Sequence, residues 1–377
     1  GSDIRPGSVT ISTALDDGDV EFTGGVTAGN LVIASGNGNV TVTGAYGVSA
    51  AGNTLTIGSG TGTVSFSDAV GTSGVRLGAI QLTADEIDFN GGVASVYGNS
   101  TLVLRPSADN VSVGIGSGAG TLSLDANDIA ALADGFSSIT IGRATGTAAV
   151  TVGSSVSFSD PVLIQSNGAT GTVVVNGPVA GTGNATITLT ASGITLGYDA
   201  ASGDVITTAN QGITLTGPVT LTADASITTG AGAGDITVSG TVTNASARTL
   251  ELTAGTGSID LQSAIGGGTA LSSLTVYSAT TARFGGSVTT SGAQAVTAGT
   301  IQTNGTHTTT NTDVTFTGNV ALQNNTVITT GTGAGTITVS GTVTNAAGRT
   351  LELTAGTGSI DLQDAIGGGT ALSSLTV

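Results

Sequence analysis

Few side chains in this sequence can do chemistry. The only histidine is His307, in Asn304-Gly-Thr-His-Thr-Thr309, and the chain contains no cysteine, methionine or tryptophan. Nucleophilic catalysis of the Ser-His or Cys-His kind needs partners this composition lacks, and transition-metal sites need several nitrogen or sulfur ligands. Its Gly, Asn and Thr neighbours place His307 in a surface loop. Carboxylates remain. Asp16, Asp17, Asp19, Glu21, Asp85, Glu86 and Asp88 are the candidates for glycoside hydrolysis, which requires two acids facing one cleft beside aromatic platforms. Aromatic residues make up 3% of the chain, and these acids stand in repeat-like contexts, so no catalytic residue is expected. Asp16-Asp17-Gly18-Asp19-Val20-Glu21 also offers clustered oxygens to a hard cation, making calcium the one cofactor worth considering. It lacks EF-hand spacing, and the Gly-Gly-x-Gly-x-Asp nonapeptide occurs nowhere, so the run reads first as a solvated acidic turn. The glycine strings are not phosphate loops, because the basic residues are all arginine and a Gly-Lys-Ser/Thr motif is impossible. The Asn-x-Ser/Thr sequons at Asn99, Asn110, Asn184 and Asn244 are what this composition yields by chance.

The composition explains why chemistry is scarce. Of 377 residues 63 are glycine and only 5 proline; glycine is more than twice its usual share of about 7%, which without a triplet period excludes collagen. A hydrophobic share of 38% argues against disorder. The core must be aliphatic. A net charge of -17 with seven scattered basic residues disfavours nucleic acid and anionic membrane surfaces. No stretch approaches the roughly 18 apolar residues of a spanning helix. The start lacks a signal peptide and an initiator methionine, which predicts a processed or excised chain, with Gly1-Ser2 readable as the scar of a tag. The absence of cysteine is compatible with export.

Repetition supplies the architecture. Residues 207–276 recur as 308–377 with a shift of about 101 residues, through Ile236 to Asn244 and Arg248 to Gln262, then Ile337 to Asn345 and Arg349 to Gln363. The chain reads as one continuous solenoid, 1–377, carrying these two duplicated blocks. A finer period of about 20 to 24 residues runs beneath. One series of alternating apolar pairs is Val20/Phe22, Val40/Val42, Val64/Phe66, Ile87/Phe89 and Val111/Val113. A second is Leu31/Ile33, Leu55/Ile57, Ile80/Leu82, Leu102/Leu104 and Leu122/Leu124. Each pair reads as a short strand with apolar side chains on one face and Thr, Ser or Asn on the other. Glycine clusters separate the strands. This pattern predicts an all-β fold, a β-solenoid of roughly 17 coils with the long period near five coils. A sandwich array would want longer strands and a core tryptophan, and a propeller longer blades with aromatic signatures. Two segments read as short helical corners. Asp125 to Gly135 has capping candidates at Asn127 or Asp128 and Gly135 as the residue past the end; the other is Thr269 to Leu274, repeated at Thr370 to Leu375.

The runs Thr101-Leu-Val-Leu-Arg-Pro106, Val113-Gly-Ile-Gly-Ser-Gly-Ala-Gly-Thr-Leu122 and Phe136-Ser-Ser-Ile-Thr-Ile-Gly-Arg143, with the repeated Gly-Gly-Gly-Thr-Ala-Leu-Ser-Ser-Leu-Thr-Val, cover roughly residues 80–377. They resemble the repeat regions of filamentous-haemagglutinin-like bacterial exoproteins. The resemblance implies a right-handed parallel β-helix, secretion across the outer membrane to the cell surface or beyond, and a role in adhesion or surface layers. The Asn-Pro-Asn motifs of that family's secretion domain are missing, so the segment reads as shaft. The expected function is a structural or adhesive shaft, with itself as partner through end-to-end coil stacking because Val377 falls in mid-motif, or with host or neighbouring-cell glycans. An ice- or glycan-binding module, suggested by Thr186-Ile-Thr-Leu-Thr190, is the alternative, and a carboxylate-based polysaccharide enzyme the third reading.

Overall fold

A computed structural model describes residues 9–13 and 15–377, so the Gly1-Ser2 start lies outside the described residues. Two compact units, Gly1–Gly193 and Ile194–Val377, are each a parallel β-solenoid; together they hold about 16 turns, and helix amounts to 2%.

Period-two alternation builds the ladders. In the first unit Val9, Leu31, Leu55, Ile80 and Leu102 stand in successive register, followed by Ile139, Val162 and Ile187. Val20, Val40, Val64 and Ile87 form a second such row. Both expected series hold through Ile87 and Leu102, and then they break. Leu102 pairs with Ile139, whereas Leu122 pairs with Val113 in another sheet. The cause is an insertion containing helix α1, Ala126–Ala131, which lengthens that turn.

The cap of α1 is Asp125, not Asn127 or Asp128. Its side chain accepts from the Asn127 and Asp128 amides at 2.6 and 3.0 Å, while Asp128 accepts from the Asp125 amide at 2.8 Å. This reciprocal box satisfies amides that a helix start leaves orphaned. The helix ends at Leu132 in extended conformation, so Gly135 lies beyond the cap. The second expected helix does not form. Leu271 bridges to Thr290 and Ser273–Ser278 is a strand; its copy contains the strand Ser374–Thr376. Leu271 and Leu274 are both inward, and a corner between them produces a three-residue spacing that mimics a helical period.

The second unit has three faces per turn. On the first, Ile227, Leu252, Val276, Val296, Phe316, Val339 and Leu362 stack in register. The second carries Leu215, Val238, Leu261, Phe284, Thr303, Leu322 and Asn345. The third carries Val219, Val242, Ile265, Val288, His307, Ile328 and Leu353.

These rows refine the expected long period. Val238 steps along the second face through Leu261, Phe284 and Thr303 to Leu322, four turns; two further faces then lead to Val339 on the first. The duplication therefore spans four and two-thirds turns, close to the expected five, and because the count is not whole its second copy sits one face back. Leu252 on the first face has its counterpart Leu353 on the third. Local structure is nonetheless copied. Gly217 and Gly318 make the same corner at φ 128 and 137°, and each amide donates to a serine of the next turn, Ser239 or Ser340, at 3.2 Å. A Cβ on Gly318 would sit 1.8 Å from the Ala298 carbonyl oxygen, so only glycine fits.

Candidate functional site

The acidic run near the start is placed at a corner, where its carboxylates bond the next turn. Asp17 accepts from the Asn37 amide at 2.8 Å and from Asn37 Nδ2 at 3.2 Å, and Asp19 from the Asn39 amide at 2.7 Å. Asn37 and Asn39 repeat the motif, accepting from the Thr61 and Thr63 amides. Asp16 is exposed and Glu21 points outward beside Thr41. Among the described residues no group of three or more His, Cys, Asp or Glu side chains is placed to hold a metal ion.

Asp85 is used in the same way, accepting from the Ser107 amide at 3.0 Å. Glu86 and Asp88 lie on the outward side of the strand Ile80–Phe89, near Asp125 and Asp128. Burial, and then the neighbouring charges of Asp88, Asp128 and Asp125, push the Glu86 carboxyl up to about 7. Asp128 is pushed up to about 6, chiefly by burial, although it accepts from the Phe89 amide at 2.8 Å. A groove of about 440 Å³ opens beside α1, lined by Val93, Ala94, Ile129, Leu132, Val156 and Asp134 among others. Glu86 and Asp88 are absent from its walls. Glu86 and Asp88 therefore stand apart from this groove, whose own carboxylate is Asp134.

His307 corrects the sequence reading most sharply. It lies in the strand Thr306–Thr308 and is 1% exposed, not in a surface loop. Phe284 and Phe316 meet its ring edge-on, with centroids 5.2 and 5.0 Å away. Its Nδ1 stands 3.0 Å from Gln294 Oε1. The Gln294 amide nitrogen donates to the Thr308 and Val288 carbonyls, which orients the amide and leaves Nδ1 of His307 as the donor. Nε2 is then a buried acceptor with no partner. Burial pushes the imidazole down to about 4, so the ring is neutral at pH 7.

Gln294 and Thr303, which the sequence reading passed over, complete a polar layer. Gln294 is inward between Leu274 and Val314, Thr303 between Phe284 and Leu322, and His307 between Val288 and Ile328. All three are at most 1% exposed. One turn thus places a polar side chain inward on each of the three faces, interrupting the second and third rows while Val296 continues the first. The signal was present in the alternation, since Gln294 shares its strand face with Val296 and Thr303 with Ile301.

The Thr186 to Thr190 array does not continue onto the preceding turn. Thr188 and Thr190 neighbour Leu163 and Gln165 on the preceding turn. A longer outward threonine row lies elsewhere, at Thr289, Thr308, Thr329 and Thr354 on the third face of the second unit.

Compared with protein-family models, curated proteins and solved structures, the chain matches none.

Proposed function

We propose that this chain is a structural or adhesive shaft of an exported bacterial surface protein, and that it is not an enzyme. The observation that carries the reading is where the polar groups go. Asp17, Asp19, Asp85, Asp224, Asp235 and Asp313 accept backbone amides of the following turn. Arg143 and Arg283 pair with Asp109 and Asp260 across turns. Groups that an enzyme would hold free for substrate are spent on stacking one turn upon the next. The duplicated blocks and the resemblance to haemagglutinin-like exoproteins support export and a place at the cell surface.

Self-association end to end belongs to the same proposal. Successive turns stack by in-register parallel strands throughout the second unit, as Ile236 on Ile259 and Val339 on Leu362, and a turn of one molecule can stack on a turn of another by the same pairing. Sedimentation and electron microscopy across a concentration series test it; the expected result is rods that lengthen with concentration, and short rods throughout reject it. Surface display is tested by antibody labelling of intact producing cells, and label seen only after lysis overturns it.

A second reading, binding to glycans or ice, is favoured by the threonine row Thr289, Thr308, Thr329 and Thr354. Glycan-array binding or thermal hysteresis lost on Thr308→Tyr and Thr329→Tyr replacement supports it, and neither activity in the native chain removes it.

A further inference from the structure

The turn that holds Gln294, Thr303 and His307 places a polar side chain inward on each of the three faces, and the buried Thr290 and Thr326 of the adjoining turns extend this polar layer, whereas Leu274, Val276, Val314 and Phe316 keep the first face apolar before and after it. That turn also belongs to the stretch joining the two duplicated blocks, which end at residue 276 and begin again at 308. Gln294 donates to Thr290 Oγ1 at 3.4 Å and to two carbonyls, and Thr303 Oγ1 meets Thr326 Oγ1 at 3.0 Å. These groups are thus satisfied by one another and by Thr290 and Thr326 of the adjoining turns, except at Nε2 of His307, which is buried without a partner.

We propose that this polar turn is an acid-sensitive seam, at which protonation of His307 opens the second unit between its two duplicated blocks. Protonation converts Nε2 from an unpartnered acceptor into a buried cationic donor, and no acceptor stands there to receive it. No carboxylate compensates the charge. On the elements packed against the ring, Arg283 is engaged with Asp260 at 2.6 Å on the outside, and Asp313 accepts the Thr336 amide at 2.8 Å. Phe284 and Phe316 present their ring planes perpendicular to the imidazole, so its flanks are apolar. The turns farther along on either side would keep their own contacts when the seam opens, because a solenoid is held by nearest-neighbour interfaces.

The sign follows from linkage. The ring binds a proton near its ordinary 6.5 when the seam is open and near 4 when it is closed. Stability is therefore intact above about 6.5 and is lost as pH falls toward 4; between pH 7.5 and pH 5 the opening equilibrium rises about 30-fold.

The test uses the full chain. Hydrogen exchange, corrected for the intrinsic pH dependence, is measured at pH 7.5 and pH 5, together with an NMR titration of the imidazole, which is unambiguous because the chain has one histidine. Protection across 294–329 is expected to fall about 30-fold at pH 5 while that of 236–261 changes little, and the imidazole is expected to stay neutral down to about 4 in closed molecules. The double variant Gln294→Leu/His307→Leu, which continues the apolar rows, should abolish the loss; His307→Phe, which leaves Gln294 in place, provides a second variant. A wild type whose protection is unchanged, a loss that persists in a folded variant, or an imidazole titrating at 6.5 in closed molecules each overturns the proposal.

Discussion

Ile259 and Ile360 stand at the same position of the duplicated block, in the same Gly-Ser-Ile-Asp-Leu-Gln sequence, and replacement by alanine should cost very different amounts. Ile259 is 0% exposed, paired with Ile236 on one side and Ala282 on the other. Ile360 pairs with Ile337 and is half-buried. Removing three carbons from a site closed on both sides loses about 2.4 kcal/mol of transfer free energy, and a residual cavity brings the total to about 3 kcal/mol. At Ile360 about half of the transfer term applies and the space left is open to solvent, for roughly 1 kcal/mol. The expected difference is about 2 kcal/mol, or roughly 30-fold in the local unfolding equilibrium. A solenoid need not unfold in one step, so the assay is local: hydrogen exchange of the strands Thr249–Thr253 and Thr350–Thr354 in dilute protein. Equal losses in both variants would refute the argument that cover by the next turn, and not sequence, sets the energy. An Ile360→Ala cost that grows with protein concentration would show the terminal turn being covered by a second molecule.

Further expectations concern corners, caps and charge. Gly318→Ala should destabilise the second unit by more than 2 kcal/mol, because its φ of 137° and the Ala298 oxygen both exclude a Cβ; a thermal melt within a degree of wild type would contradict this. Asp128→Ala should lower protection of α1 and of the Phe89 amide by about 1 to 3 kcal/mol, since it leaves the Asp125 and Phe89 amides without their acceptor, as hydrogen exchange would report. The carboxyls of Glu86 and Asp128 respond to pH opposite to His307. Their folded values are raised to about 7 and about 6, so the folded form binds more protons and the α1 region gains stability as pH falls from about 8 to about 5. Glu86→Gln should flatten that profile, and a profile unchanged by the substitution would assign the effect to other groups.

Much of the fold was legible because a parallel solenoid is a local pattern repeated. Alternation at Val40/Val42 or Leu55/Ile57 states which side chains turn inward, and the same reading holds in the ladders. Where a turn changes length the local pattern misleads. Leu122/Leu124 looks like the next member of its series, yet α1 is inserted and the register passes to Ile139. The Ala-Leu-Ser-Ser-Leu spacing likewise fits a helix or a cornered strand, and only the bridge from Leu271 to Thr290 decides between them. His307 departs from the loop expectation for a related reason. Polar neighbours signal a loop when burial is judged by composition, but in a solenoid burial follows the parity of the strand position.

Corners and strands are encoded locally, since the two copies reproduce the same Gly217 and Gly318 corner and the same Asp260–Gln262 and Asp361–Gln363 bonds wherever they lie. Those are contacts of short range, encoded in a few adjacent residues. Tertiary structure alone decided which face each copy occupies, which polar residues converge in one layer, and whether an isoleucine is covered. Those outcomes depend on the accumulated count of strands per turn and on what stacks next, and neither quantity is written at any single position.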